Sequence, residues 1–369
     1  MLQIVLTLAA ALLIAATLLP ISRLRQWWVR GLDFPRVQIA VLQFAWLLAY
    51  VALQQNGSEQ TPSALWSLFV VGCLLWQLYW IWPYSELHAQ EVLSADETER
   101  EALPHLRVIT SNVLMDNRDA GPLKEHVRRE SPDVLVTLES DAWWQEQLDV
   151  LDDYPHRIAC PLDNRYGMHV YSRMPLHSTR VDFLVEDDIP SMCAYVELGD
   201  GTRVRFHVVH PTPPAPGENP RSTERDVELL MLAQRLEDND EPTIVTGDLN
   251  DVAWSATTQL FRLRSGLLDP RIGRGMFNTF HAWHWYLRWP LDHMFVSEHF
   301  RLLEVRRLEQ IGSDHFPVLF DVAIGEHREL ESHPDADDVD EELERETLDS
   351  DVAKTARQPS LNAADTQLT

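Results

Sequence analysis

The chain has 369 residues, with 31 Lys or Arg against 57 Asp or Glu and a formal charge of −26; Lys124 and Lys354 are its only lysines. That length leaves room for two or three units, and the charge argues against a binder of extended duplex nucleic acid, which carries a basic footprint. Cys73, Cys160 and Cys193 form no CxxC and no metal-type spacing, so they say little.

The N-terminal third reads as a membrane region, residues 1–85. No charged side chain occurs from Met1 to Ser22, from Val37 to Ser58, or from Gln60 to Ser85, and each window is about the ~20 residues a spanning helix needs. Three transmembrane helices are expected at about 2–20, 38–54 and 64–84. Gln38 and Gln43 shorten the apolar part of the second; Trp80, Trp82 and Tyr84 end the third as an interfacial aromatic belt. A buried helical subdomain is the bland alternative. A cleaved signal peptide is disfavoured, because no basic residue precedes the first apolar run and no small-residue cleavage site precedes Arg23. Arg23, Arg25, Arg30 and Arg36 lie in the first loop, whereas "QQNGSEQTPS" in the second has no basic residue. The positive-inside rule then puts the first loop, and everything after Tyr84, in the cytoplasm of a multi-pass membrane protein (inner membrane, if bacterial).

Residues 86–104 read as an acidic linker or short juxtamembrane helix. Residues 325–369, containing "DADDVDEELERE", have too few apolar side chains to bury and read as a disordered acidic tail. The tail carries −10 and residues 1–104 carry −3, which leaves −13 for residues 105–324.

Within 105–324, "LRVITSN" is a strand ending at Asn112 and "PLKEHVRRE" a helix with Pro122 near its start. "DVLVTLES" is a strand reaching Glu139, "AWWQEQLDVL" a helix, and "HVYSRMPL" a strand. "SMCAYVELGDGTRVRFHVVHPTPP" is a hairpin around Gly199-Asp200-Gly201 with His210 at its exit. "RSTERDVELLMLAQRLED" has helical periodicity, "PTIVTGDLND" is a strand opening into Asp248 and Asn250, and "LDHMFVS" and "DHFPVLFDV" are the closing strands. Strands mixed with helices, joined by hairpins and crossovers, indicate α/β or α+β layers.

Asn112, Glu139, His210, Asp248 and Asn250 follow the apolar run of their strands, and Asp292, Asp314 and His315 precede theirs. Neighbouring antiparallel strands share a rim between the end of one and the start of the next, so all eight can converge on one edge. Singly, each is explained as a turn former; together they are better read as a site. His293 alternates away from Asp292 and is left out.

The series "TSNV", "VTLES", "YSRMPL", "VVHPTPP", "TGDLND", "LDHMFVS" and "GSDHFPV" resembles the motif order of the endonuclease/exonuclease/phosphatase superfamily over residues 105–324. The resemblance implies a four-layer α/β sandwich and divalent-metal phosphoester hydrolysis. Leu138, where many members have Gln, and His169, where a small or apolar residue is usual, depart from the pattern. On this resemblance Glu139, Asn112 and Asp314 are the candidate metal group for Mg²⁺ or Mn²⁺. Asp292 and His315 form an Asp–His pair, Asp248 and Asn250 orient nucleophile and phosphate, and His210 serves the leaving group. In "TFHAWHWYLRWPLDH", Trp283, Trp285, Tyr286 and Trp289 read either as loop core or as an apolar lip, with Arg288 and Trp289 as candidate substrate-binding residues. The substrate is a phosphoester, whether lipid headgroup, nucleic acid or small phosphodiester, and the lipid bilayer is the expected partner. The competing reading is a catalytically inactive membrane scaffold whose acidic tail recruits basic proteins.

Overall fold

The computed structural model describes residues 1–57, 62–237, 239–325 and 340–356. Three helices dominate the N-terminal region: α1 (Leu2–Leu18), α3 (Arg36–Gln55) and α4 (Ala64–Ile81), with the short α2 (Trp27–Arg30) in the first loop. They belong to apolar stretches Leu2–Ser22, Arg36–Gln55 and Ala64–Tyr84, long and apolar enough to cross a membrane, of whose windows only 11%, 22% and 17% is buried. Most of their apolar surface therefore faces outward, unlike a helical subdomain core. Some of their polar side chains pair inside the bundle. Gln43 and Gln77 both donate to Thr17 Oγ1, at 2.9 and 3.1 Å, and Arg36 donates to Gln77 Oε1 at 3.1 Å.

After the short α5 (Glu97–Ala102), the elements run β1 (His105–Asn112), α6 (Gly121–Glu130), β2 (Val134–Leu138), α7 (Ala142–Leu148), β3 (His156–Cys160), β4 (Met168–Ser172) and β5 (Leu176–Asp182). They continue with β6 (Ser191–Glu197), β7 (Arg203–Val208), α8 (Thr223–Leu236), β8 (Thr243–Asp248), α9 (Ala256–Ser265), β9 (Asp292–Val296), β10 (Phe300–Arg307) and β11 (Val318–Ile324). Two mixed sheets result, ordered β10-β11-β1-β2-β4-β3 and β5-β6-β7-β8-β9. An apolar cluster including Val108, Val136, Phe206 and Phe320 fills the space between them. A second cluster seats α6 and α7 on the first sheet, and a third seats α8 and α9 on the second. This is the four-layer sandwich.

β3, β5 and β10 escape the sequence reading. β3 and β5 are edge strands with mixed burial, so their side chains show no clean alternation. The stretch read as one strand, "HVYSRMPL", is two: β4 ends at Ser172 and β5 starts in the other sheet, with Pro175 between them unable to donate to a ladder.

The acidic tail is also corrected in part. Residues 340–356 form α10 (Glu341–Leu348) and α11 (Asp351–Thr355); the rest of the expected tail beyond Gly325 lies outside the described residues. Asp340 caps α10 through the Leu343 amide at 2.9 Å, Leu343 packs with Leu230 and Leu260, and Arg264 Nε holds Glu344 at 3.0 Å. Partner charges on the folded body neutralise what composition alone reads as repulsive. The linker docks as well: Glu91 is buried against the Arg262 guanidinium and accepts from the Asp269 amide at 2.6 Å.

Candidate active site

The strand pairing brings the eight rim residues together. Asp248 at the end of β8 stands directly opposite Asp292 at the start of β9, and Asn112 at the end of β1 is in register with Leu138, one residue before Glu139. β1 is antiparallel to β11, so His315, just ahead of β11, returns to the same edge. Thr110 Oγ1 and Thr246 Oγ1 meet at 2.8 Å between the sheets beneath this edge.

Local backbone fixes the side chains. Gly247 has φ +146°, and a Cβ there would sit 1.9 Å from Val209 O; only glycine allows β8 to pass this close to β7 just before Asp248. Glu139 and Asn250 have φ of 55° and 50°, the left-handed region, which turns each out of its strand toward the rim. Asn250 is held there by its own amide to Asp248 Oδ1 (2.9 Å), by Nδ2 to Pro211 O (3.0 Å), and by Arg225 Nη1 on its carbonyl (2.9 Å).

At the centre His315 Nδ1 lies 2.7 Å from Asp292 Oδ2, and its Nε2 lies 3.5 Å from Asp248 Oδ2. All three are buried. Burial opposes charge on the imidazole, yet Asp292 and Asp248 outweigh it and push His315 up to about 10. Burial pushes Asp248 up to about 7 against the pull of His315. His210 Nε2 is 3.8 Å from Asp248 Oδ2, and its ring packs 5.2 Å from that of Tyr166. Burial lowers His210 to about 3, so at neutral pH it is an uncharged imidazole that can donate a hydrogen bond rather than a resting acid. Ser313 locks the turn: its Oγ donates to Asn112 O (2.8 Å) and accepts from the His315 amide (3.0 Å).

Two sets of residues could hold a cation. Asp248, Asp292 and His315 offer ligand atoms within 4.8 Å of one another. Both imidazole nitrogens there already face carboxylates, Asp292 Oδ2 at 2.7 Å and Asp248 Oδ2 at 3.5 Å. Glu139 is different. Asn112 Nδ2 donates to its Oε1 at 2.8 Å and to Asp248 Oδ2 at 3.2 Å, while Glu139 Oε2 is buried with no hydrogen-bond partner among the described residues. Burial raises the Glu139 carboxyl, and the nearby Asp314 carboxylate adds to this. An orphaned hard oxygen beside a second carboxylate fits Mg²⁺ or Mn²⁺. Asn112 serves here to hold Glu139 in place.

The two residues expected to bind substrate separate. Trp289 is packed 5.6 Å edge-on to Phe34 and 6.1 Å over Phe280, in the joint between the apolar N-terminal helices and the sandwich. Its ring is used in packing, which favours the loop-core reading of Trp289 over the open lip and over a substrate-binding role. Arg288 lies 4.9 Å over the Phe316 ring, with Arg307 at 4.4 Å from the same ring, so two guanidinium groups flank the residue after His315. Arg307 and Tyr166 are additions that only the fold supplies, since neither stands in a motif. His169, a departure from the motif pattern, is structural: its Nδ1 meets Ser140 Oγ at 2.7 Å. His293 points away from the cluster as expected, between Arg271 Nη2 (2.7 Å) and Asp251 O (2.9 Å). A cavity of about 980 Å³ opens elsewhere, where the ends of the apolar N-terminal helices meet α9.

The family model for the endonuclease/exonuclease/phosphatase family matches residues 109–315, the segment that carries every one of these rim residues. The chain belongs to that family. Among solved structures it is similar to a family member from Beutenbergia cavernae, at 18% identity and TM-score 0.50, covering 61% of this chain and 72% of that one. Others include a mannosyl-6-phosphatase from Bacteroides thetaiotaomicron (18% identity, TM-score 0.47, 59% and 100% covered) and D. rerio TDP2 with a single-strand DNA product (16%, 0.48, 59% and 98%). No curated protein sequence matches. Members of this family are phosphoester hydrolases.

Behind the site, Arg225 is buried and pairs with Asp226 (2.9 Å) and Asp251 (3.0 Å). Arg225→Met should cost about 3–5 kcal/mol, because two buried carboxylates lose their cation. A denaturant melt of the detergent-solubilised chain checks this; a loss below about 1 kcal/mol would show the network to be dispensable.

Proposed function

We propose that the chain is a membrane-anchored, divalent-metal-dependent phosphoester hydrolase that promotes in-line attack of water on phosphorus. The observation that carries this reading is the buried Asp292–His315–Asp248 array set beside the partnerless Glu139 oxygen. Mg²⁺ or Mn²⁺, bound by Glu139 with Asp314 alongside, would supply charge neutralisation at the phosphoryl oxygens. Asp292 holds the His315 ring and keeps it charged, so that Nε2–H is directed at Asp248 and toward the phosphoryl group at the rim. Asp248 in its ionised form accepts a proton from the attacking water, a task suited to a carboxyl raised to about 7, and Asn250 orients that water with its side-chain amide. His210 donates a hydrogen bond at the departing oxygen. Arg288 and Arg307 extend positive charge toward the substrate's flank.

The substrate class at this level is a lipid headgroup, a nucleic acid or a small phosphodiester. Activity of the purified full chain against phosphoinositide, sphingomyelin, single-stranded DNA and bis(4-nitrophenyl) phosphate, with and without chelator, tests the reading. No metal-dependent hydrolysis of any of them would end it. The inactive-scaffold alternative is weakened because residues 340–356, the acidic segment meant to recruit partners, pack on the chain's own domain.

The unit boundaries we propose are 1–85 for the membrane region and 105–324 for the hydrolase domain, with the domain on the side of the Arg23–Arg36 loop. A reporter fused after Tyr84 should then be active only in the cytoplasm. The thiols of Cys160 and Cys193 should stay free, as they are here. Periplasmic reporter activity would refute the three-span topology.

A further inference from the structure

Three of the segments that carry site residues run directly into the ends of the spanning helices. Past Asp248 and Asn250, Ala253 O accepts from Tyr84 Oη at 2.8 Å and Trp254 Nε1 donates to Asp33 O at 2.7 Å. Past His210, Pro220 O accepts from the Trp27 amide at 3.1 Å, and the Ser222 amide donates to Arg25 O at 2.9 Å. Just before Asp292, Trp289 packs on Phe34. Asp33, Phe34 and Tyr84 border the same-side ends of the apolar stretches that stop at Ser22, begin at Arg36 and stop at Tyr84. The rim with the site is therefore the rim turned toward those helix ends.

The loop between Phe280 and Trp289 lies against both. On one side, the Ala282 amide donates to Asp314 O at 2.7 Å, and the Phe280 ring is 4.9 Å from His315. On the other, Gln38 Nε2 donates to Tyr286 O at 2.9 Å. Gln38 is two residues inside the second apolar stretch, about 3 Å along its axis from the start at 1.5 Å per residue. Between these anchors the loop holds out Trp283, Trp285 and Tyr286, at 52%, 79% and 54% exposure. Three exposed aromatics at the depth where a spanning helix enters the bilayer match the interfacial preference of Trp and Tyr. In water they would form an unpartnered apolar patch.

We infer that the loop 283–287 lies in the headgroup layer of the bilayer its own helices span, and that the substrate is a phosphoester carried by a lipid of that membrane. This rests on the hydrolase reading above and narrows its substrate. The bilayer brings such a phosphate to a rim fixed beside it, which a free polyanion would approach against the domain's charge of −13.

The test uses the full chain in vesicles of phosphatidylcholine, phosphatidylethanolamine, phosphatidylglycerol and sphingomyelin. Trp285→Cys and, as a far-rim control, Asp200→Cys in the turn between β6 and β7 are labelled with an environment-sensitive fluorophore; the unsubstituted chain, whose cysteines are buried or half-buried, is the blank. Lipids spin-labelled near the headgroup should quench the label at 285 and leave that at 200 bright. Equal quenching at the two positions, or none at 285, overturns the orientation. In the second arm, phosphorus NMR should show hydrolysis of at least one vesicle phospholipid. Trp285→Ser should slow it by about tenfold through lost positioning, with bis(4-nitrophenyl) phosphate hydrolysis unchanged. Intact lipids beside an active soluble reaction overturn the substrate assignment. Loss of both reactions instead removes the hydrolase reading, while the quenching pattern still decides the orientation.

Discussion

His315→Ala and Asp292→Ala should each lower turnover by about 10²–10⁴-fold, the usual contribution of a positioned acid–base or charge-stabilising group. The reason is the 2.7 Å bond between His315 Nδ1 and Asp292 Oδ2, which makes one group's placement depend on the other. Groups acting as a unit are not additive, so the double variant should be little worse than the poorer single. Stability should fall as well. Both side chains are almost fully enclosed, at 4% and 2% exposure, so removing one leaves a buried partner without its counter-charge at about 3–5 kcal/mol. Asp292→Asn keeps the shape with a smaller loss and should still fail in turnover. A melt and an assay on the same preparations separate the two effects. Wild-type turnover in Asp292→Asn would show "GSDHFPV" to be a structural turn.

Chelation should abolish hydrolysis, and Mg²⁺ or Mn²⁺ should restore it. A second readout needs no substrate. A cation that binds the folded chain at 100 times its Kd adds about 2.7 kcal/mol of stability, so added Mn²⁺ should raise Tm. Glu139→Gln removes the partnerless oxygen and should suppress the rise in Tm together with most of the activity. An equal Tm rise in wild type and Glu139→Gln would place the cation elsewhere. Full activity in chelator would sink the mechanism. These measurements call for the full chain, because cutting at residue 105 would strip Glu91 from buried Arg262.

The sequence by itself determined a good deal. Three uncharged windows marked the apolar helices, because length and lack of charge are both visible in a local stretch of sequence. The motif strands that carry Asn112, Asp248, Asp292 and His315 could be read because apolar runs ending or starting in polar residues report the rim of a sheet locally. Gly247 belonged to a readable motif too, though its reason, the Val209 carbonyl 1.9 Å from any Cβ, needs the neighbouring strand. Tertiary structure decided whatever depends on residues far apart in the chain. Arg225 could not be read as the cation of Asp251, nor Arg307 as a flank of His315, since no local pattern reports a charge arriving from another element. The segment 340–356 looked unfoldable because composition counts only its own charges, whereas Arg23, Arg25 and Arg264 meet it from 80 to 322 residues away. Trp289 could be read as loop core or as lip, because an aromatic run has the same local appearance whether Phe34 or solvent lies against it. Which way the rim faces followed from contacts such as Tyr84 with Ala253, 169 residues apart, and periodicity carries no information at that range.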